Sequence, residues 1–228
     1  MYSIETLRKV VFLMNTRGAE INGIPVEHVK LCISAGNRKI GRVMNVSLPP
    51  ILSCANCAGC SKLCYDIKAC MQYPNTVIDA RMRNYSILTR DRDEYFRRID
   101  AAMSRRRTNK YFRWHVAGDI VDRDYFDRMV ENARRHPDFV IWTYTKNYRV
   151  VNHWCAEHGR ENIPANFSVM FSEWRGMPME NPYGFPQFSV VFKDEVKPQG
   201  FYCPGNCDVC KAAGRGCVVG ESVYCMEH

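Results

Sequence analysis

Nothing in the chain approaches the roughly 20 consecutive apolar residues that a bilayer-crossing helix needs. The N-terminal stretch offers only the five residues Val10 to Met14, with no small-residue cleavage site after them, too little for a secretory leader. The sequence therefore predicts a chain that keeps to a reducing cytoplasm and makes no membrane contact. It carries neither a P-loop nor a dinucleotide fingerprint. The nearest feature, Ser34-Ala35-Gly36-Asn37-Arg38-Lys39-Ile40-Gly41, is a basic glycine-bearing loop that turn chemistry explains as well as anion binding does. Internal repeats and low-complexity linkers are absent. Histidine is scarce, at six residues, and the one that joins a cysteine cluster is His228, three residues beyond Cys225.

What is present is a core-forming composition, 46% apolar and 12% aromatic over 228 residues, enough for one large domain or two small ones. Thirty-two basic against 24 acidic residues leave a net charge of +8, which suits a nucleic acid or phosphorylated partner but equally describes a solvated basic surface. The densest patch, Arg105-Arg106-Arg107 with Lys110, falls at the end of a helical segment, where the helix dipole also welcomes cations.

Cysteine is the abundant signal: twelve residues, ten of them in the two clusters 54–70 and 203–225. Cys54, Cys57, Cys60 and Cys64 follow Cys-x2-Cys-x2-Cys-x3-Cys, the run by which bacterial ferredoxins hold 4Fe-4S clusters. Close thiols on a small-residue loop converge on one centre without the chain folding back. The proline that follows the last ferredoxin cysteine is replaced by Tyr65, and in two-cluster ferredoxins the fourth cysteine serves the other cluster. Zinc competes for the same thiolates, and disulfides are the third reading. The second cluster runs Cys203-x3-Cys207-x2-Cys210-x6-Cys217-x7-Cys225-x2-His228 among four glycines. So little apolar material implies a metal-wrapped tail, holding either zinc or a second iron-sulfur cluster on Cys203, Cys207, Cys210 and Cys217.

Periodicity predicts a short helix near Glu5 to Met14 and helices over 75–88, 92–107, 123–135 and 147–158. It predicts strands over 43–48, 111–116, 139–144, 166–171 and 188–192. This alternation argues for an α/β fold with a mostly parallel sheet, a partial (β/α) barrel with a cysteine-rich C-terminal extension. The expected division is an α/β domain over 1–200 and a metal-binding tail over 201–228. Reactive residues of such sheets gather at the carboxyl ends of strands. There stand Arg113, His115, Gly118 and Asp119 after one strand and Tyr144 and Lys146 after the next. His115, Asp119 and Lys146 are the candidate catalytic groups, as acid, base or anion holder, and Arg113, Gly118 and Tyr144 the candidate cofactor-binding ones. Each has a plain alternative: His115 in the core, Asp119 as a helix cap, Lys146 in solvent.

A cysteine loop ending in Cys64-Tyr65, the strand end Arg113-x-His115-x-x-Gly118-Asp119, the strand closing in Tyr144-Thr145-Lys146, and a terminal cysteine cluster ending in His228 together resemble the phage gene-product-eighty-eight family, over about residues 34–228. The resemblance implies a phage or mobile-element context and an architecture similar to the radical S-adenosylmethionine partial barrel, with Ala117-Gly118-Asp119 in the place of the glycine-rich motif that ends the second strand. S-adenosylmethionine as a cofactor follows only in part. Its Cys-x3-Cys-x2-Cys spacing occurs solely at Cys203, Cys207 and Cys210, in the order of auxiliary cluster domains. Two function classes stand: an iron-sulfur oxidoreductase or radical-type enzyme taking electrons from a donor and acting on a small anionic substrate, and a zinc-binding, nucleic-acid-associated protein of non-enzymatic kind.

Overall fold

The computed structural model describes residues 1–227; His228 lies outside the described residues. Eight strands form one sheet: β1 (Ile33–Ser34), β2 (Met44–Val46), β3 (Tyr111–Trp114), β4 (Val140–Thr145), β5 (Phe167–Glu173), β6 (Gln187–Val191), β7 (Phe201–Tyr202) and β8 (Val223–Met226). Their spatial order is β1-β2-β3-β4-β5-β6-β8-β7. Among the described residues only the β1–β2 strand pair is antiparallel. The α/β class and the mostly parallel sheet are as expected, but the sheet does not close, and β1 and β7 are its free edges.

The helices are α1 (Ile4–Asn22), α2 (Cys57–Cys60), α3 (Tyr65–Gln72), α4 (Asp79–Arg90), α5 (Arg92–Ser104), α6 (Arg123–Arg135), α7 (Tyr148–His158) and α8 (Cys207–Ala213). α6 begins where Asp122 accepts the amide of Tyr125, and its last turn carries Arg134 and Arg135, so both dipole ends are matched in charge. α1 runs eight residues beyond the expected helix, to the turn at Gly23.

Side chains alternate across each strand, and the two faces of the sheet meet different partners. Phe112, Trp114, Ile141, Phe167, Val169 and Phe171 pack against Val10, Met14, Ile87, Phe96, Met129, Val151 and Trp154 of the helices, forming the main core. Each large side chain buried there is worth about 1.5–3 kcal/mol. On the opposite face Trp142 and Met170 pack with Ile40 and Val43, and with Cys210, Cys217, Val218 and Val223 of the tail. The tail is thus more than an appended loop. It supplies β7 and β8, with β8 inserted between β6 and β7. The Ser34–Gly41 loop serves as its seat: Cys207 donates its amide to Lys39 O at 3.2 Å, and Arg42 donates its amide to Asp208 at 3.3 Å.

Candidate metal and anion site

β3 is sewn to the chain leaving β2. His115 donates its amide to Val46 O at 3.1 Å, Leu48 donates to Ala117 O at 2.9 Å, and Val116 and Ala117 both reach Ser47 Oγ. Gly118, at φ 89°, has room for no side chain, because a Cβ there would lie 2.7 Å from both Leu48 Cβ and Ser53 Oγ. Its role is close backbone packing against the segment that leads into the cysteine loop. Ser53 in turn donates to Pro49 O at 2.7 Å, fixing where Cys54 starts.

Asp119 ties two strand ends together. Its carboxylate accepts from Ile120 N at 2.7 Å, Thr145 Oγ1 at 2.6 Å and Lys146 N at 2.9 Å. Burial pushes its pKa up while these bonds and Lys146 pull against the rise. The following helix is capped by Asp122 instead. Lys146 sends its ammonium to Ser172 Oγ at 3.0 Å, across the end of β5 and 5.6 Å from the Trp174 ring.

The cysteine loop hangs over this edge. Asn56 donates its side-chain amide to Lys146 O, and Gly59 lies against the Met177 side chain. Cys54, Cys60 and Cys64 are half-buried free thiols close enough to act on one another's charge, and Cys57 acts likewise on Cys60. Burial is the largest influence on all three and pushes their pKa up; the Lys146 ammonium pulls Cys60 the other way. Among the described residues no three His, Cys, Asp or Glu side chains stand in a geometry that holds a metal ion. The donor chemistry nonetheless fits a soft metal: Cys54, Cys60 and Cys64 are desolvated thiols, the ligand type that selects one.

Behind that edge lies Arg113. Its Nε is buried with no hydrogen-bond partner, and its guanidinium lies 4.4 Å from the Tyr144 ring centre. Burial opposes its charge, but Tyr144, Tyr65, Cys207 and Cys217 together outweigh burial and raise its pKa. On this side the tail thiols gather. Cys203, Cys207 and Cys217 influence one another, as do Cys203, Cys207 and Cys210. Burial pushes Cys217 up to about 12 and Cys210 up to about 11, and the Tyr144 hydroxyl is close enough to act on Cys217. Cys225, on β8, is also pushed up to about 11 by burial, with Cys203 beside it.

The structure brings together Asp119, Lys146 and the 54–64 loop, and separately Arg113, Tyr144 and the tail thiols. His115 belongs to neither group. Its backbone takes φ 57°, which turns the ring into the helix-side core, where Nε2 meets the Tyr125 hydroxyl at 2.9 Å. Burial, reinforced by Arg113, lowers its pKa to about 3. Of the remaining cysteines, Cys70 and Cys155 are buried in the main core. Two neighbours of the site carried no readable signal of their own: Trp142 and Ser172. Tyr65 was marked by standing where a ferredoxin has proline and by closing the Cys64-Tyr65 motif.

The gene product 88 family model matches residues 27–201. The chain belongs to that family. The matched stretch contains the 54–64 loop, the 113–119 strand end and Tyr144 to Lys146, and it stops two residues short of Cys203, so the tail thiols fall outside it. The family is a phage-type one, in keeping with the expected context. No curated protein and no solved structure matches the chain. No helix among the described residues is long and apolar enough to cross a membrane.

Proposed function

We propose that the chain is an iron-sulfur protein of redox or radical type, with the centre held by Cys54, Cys57, Cys60 and Cys64 at the carboxyl edge of the sheet. The observation that carries this reading is the gathering of desolvated thiols beside the buried Asp119 and the Lys146 ammonium. When bound, such a centre supplies a one-electron donor or a Lewis-acidic iron. The chain's own residues do the rest. Asp119 locks the ends of β3 and β4, so that Lys146 keeps one direction. Lys146 offsets negative charge at the loop and presents a cation to an anionic substrate. Gly118 lets the loop sit within van der Waals distance of β3. The consecutive parallel strands β2 to β6 support the likeness to a radical S-adenosylmethionine partial barrel. S-adenosylmethionine cleavage is left outside the proposal, because the matching cysteine spacing lies in the tail.

Anaerobic purification is expected to give a brown protein with about four irons per chain for one such cluster and a broad absorbance near 400 nm. Cys60→Ser should strip most of that iron, whereas Cys155→Ala, deep in the helix-side core, should leave it unchanged. A colourless protein carrying zinc would refute the redox reading. It would favour a second one, in which the thiols are structural staples. That second reading has an observation of its own: the tail thiols are embedded in an apolar cluster, as in a folding site rather than a reactive one. Its basic contact face for nucleic acid would be the surface groove of about 370 Å³ that includes Arg97 and Arg105.

A further inference from the structure

Arg113 presents an unusual electrostatic problem. It stands in the middle of the sheet, on the face shared with the tail, and the groups acting most strongly on its charge are phenols and thiols, not carboxylates. A buried guanidinium N–H without an acceptor is costly, and an anionic oxygen arriving from outside would satisfy it. A second donor stands beside it. Trp142 is the cross-strand partner of Arg113 in the β3–β4 register, so both side chains leave the sheet on the same face. Trp142 is fully buried, and its indole Nε1 also has no acceptor. Two orphaned N–H donors on adjacent strands are a stronger indication than either alone, since buried donors are nearly always satisfied. Phenols complete the surroundings. The Tyr144 ring lies against the guanidinium at 4.4 Å, and Tyr65, which stays 52% exposed, is a near neighbour of Arg113. The wall that Tyr65 forms is therefore open to solutes.

We propose that Arg113, with Trp142 and the phenols of Tyr65 and Tyr144, binds an oxyanion, the carboxylate or phosphate group of a small substrate, between the 54–64 loop and the tail thiols. A guanidinium meets two oxygens of such a group through parallel N–H donors, a match that chloride cannot reproduce. The inference deepens the reading above by naming the substrate class, and it rests on that reading only for what happens once the anion is seated.

The test is a titration of the full chain with inorganic phosphate and, separately, with acetate at constant ionic strength set by chloride, following tryptophan fluorescence and, in parallel, iron content. Wild type is expected to give a saturable change with at least one of the two probes; which one identifies the head group. Arg113→Met should weaken that binding by about tenfold or more, the loss expected for one charge-assisted contact. Arg113→Lys, which keeps the charge and serves as the folded control, should fall between. Trp142→Phe, followed by calorimetry, should cost less than Arg113→Met. No saturable response in wild type beyond the chloride control overturns the proposal, as does Arg113→Met binding with unchanged affinity. Loss of iron in Arg113→Met, in a chain whose wild type ignores both anions, would mean that the guanidinium neutralises cluster thiolates; the anion site then falls while the cluster stands. Saturable binding that Arg113→Met abolishes, in a wild-type chain that never takes up iron, would uphold the anion site and sink the cluster.

Discussion

The two cysteine regions look alike in sequence and differ in what holds them in place. The tail is knitted into the sheet: β8 pairs with both β6 and β7, Cys203 donates its amide to Tyr224 O at 2.8 Å, and Cys210 and Cys217 are buried with Val218 and Val223. The 54–64 loop has short helical turns, a side-chain tether from Asn56, a backbone bond from Tyr2 N to Lys62 O at 2.8 Å and a contact with Met177. Hydrophobic burial and ladder hydrogen bonds therefore suffice for the tail, whereas the loop relies more on whatever its thiols hold. The family match divides them as well, containing the loop and ending before the tail. A metal in the loop would be a working part, and one in the tail a reinforcement of an existing fold.

The sharpest way to break this contrast is to remove metal. After anaerobic chelation, limited proteolysis is expected to cut within 54–64 at least about tenfold faster while 203–225 keeps its protection, since local opening follows local stability. Equal sensitivity of both regions would end the distinction. Next in size, Gly118→Ala forces a side chain into a left-handed position against Leu48 and Ser53. It should cost roughly 2–5 kcal/mol in urea unfolding and displace the loop, with iron lost alongside. Met170→Ala, on the tail side of β5, should cost a comparable or smaller amount, about 2–4 kcal/mol. It should loosen the tail in hydrogen exchange and leave the loop's metal content unchanged. Loss of loop metal in that variant would mean that the two regions are coupled through the sheet.

A smaller effect separates His115 from both regions. Its folded pKa of about 3 lies below the unfolded value near 6.5. The native state therefore binds fewer protons between those values, and stability is complete above pH 6.5 and falls as pH drops toward 3. Between pH 6.5 and 5 the loss attributable to this group is about 2 kcal/mol. His115→Asn, whose side chain tolerates positive φ, should remove that portion of the pH dependence without altering metal content. An unchanged pH profile would place the ring in contact with solvent.

Much of the fold was legible because its signals are local. α6 was predicted over the residues it occupies, since Tyr125, Phe126, Met129 and Val130 recur on one face and Pro137 supplies a stop. β4 and β5 were readable as aromatic and β-branched runs. β7 and β8 were not, because two and four residues among glycines and cysteines carry no periodic pattern; only pairing makes them strands, β8 against β6 and β7 against β8. α3 was missed because its apolar residues sit directly after the cysteine loop, whose spacing dominated the reading. At the site, Asp119 and Lys146 were correctly placed at adjoining strand ends. The pairing of Arg113 with Trp142 was not foreseeable, since it depends on a register between strands 29 residues apart in the chain.

By itself the sequence determined the alternation of strands and helices and the presence of two thiol-rich segments, because hydrophobic period and residue spacing are properties of neighbours along the chain. Only the tertiary structure decided which side chains face one another. Parallel pairing and the pleat put Arg113, Trp142 and Tyr144 on the tail's side of the sheet, and a single positive φ turned His115 to the other. Direction across a sheet is set by partners distant in sequence.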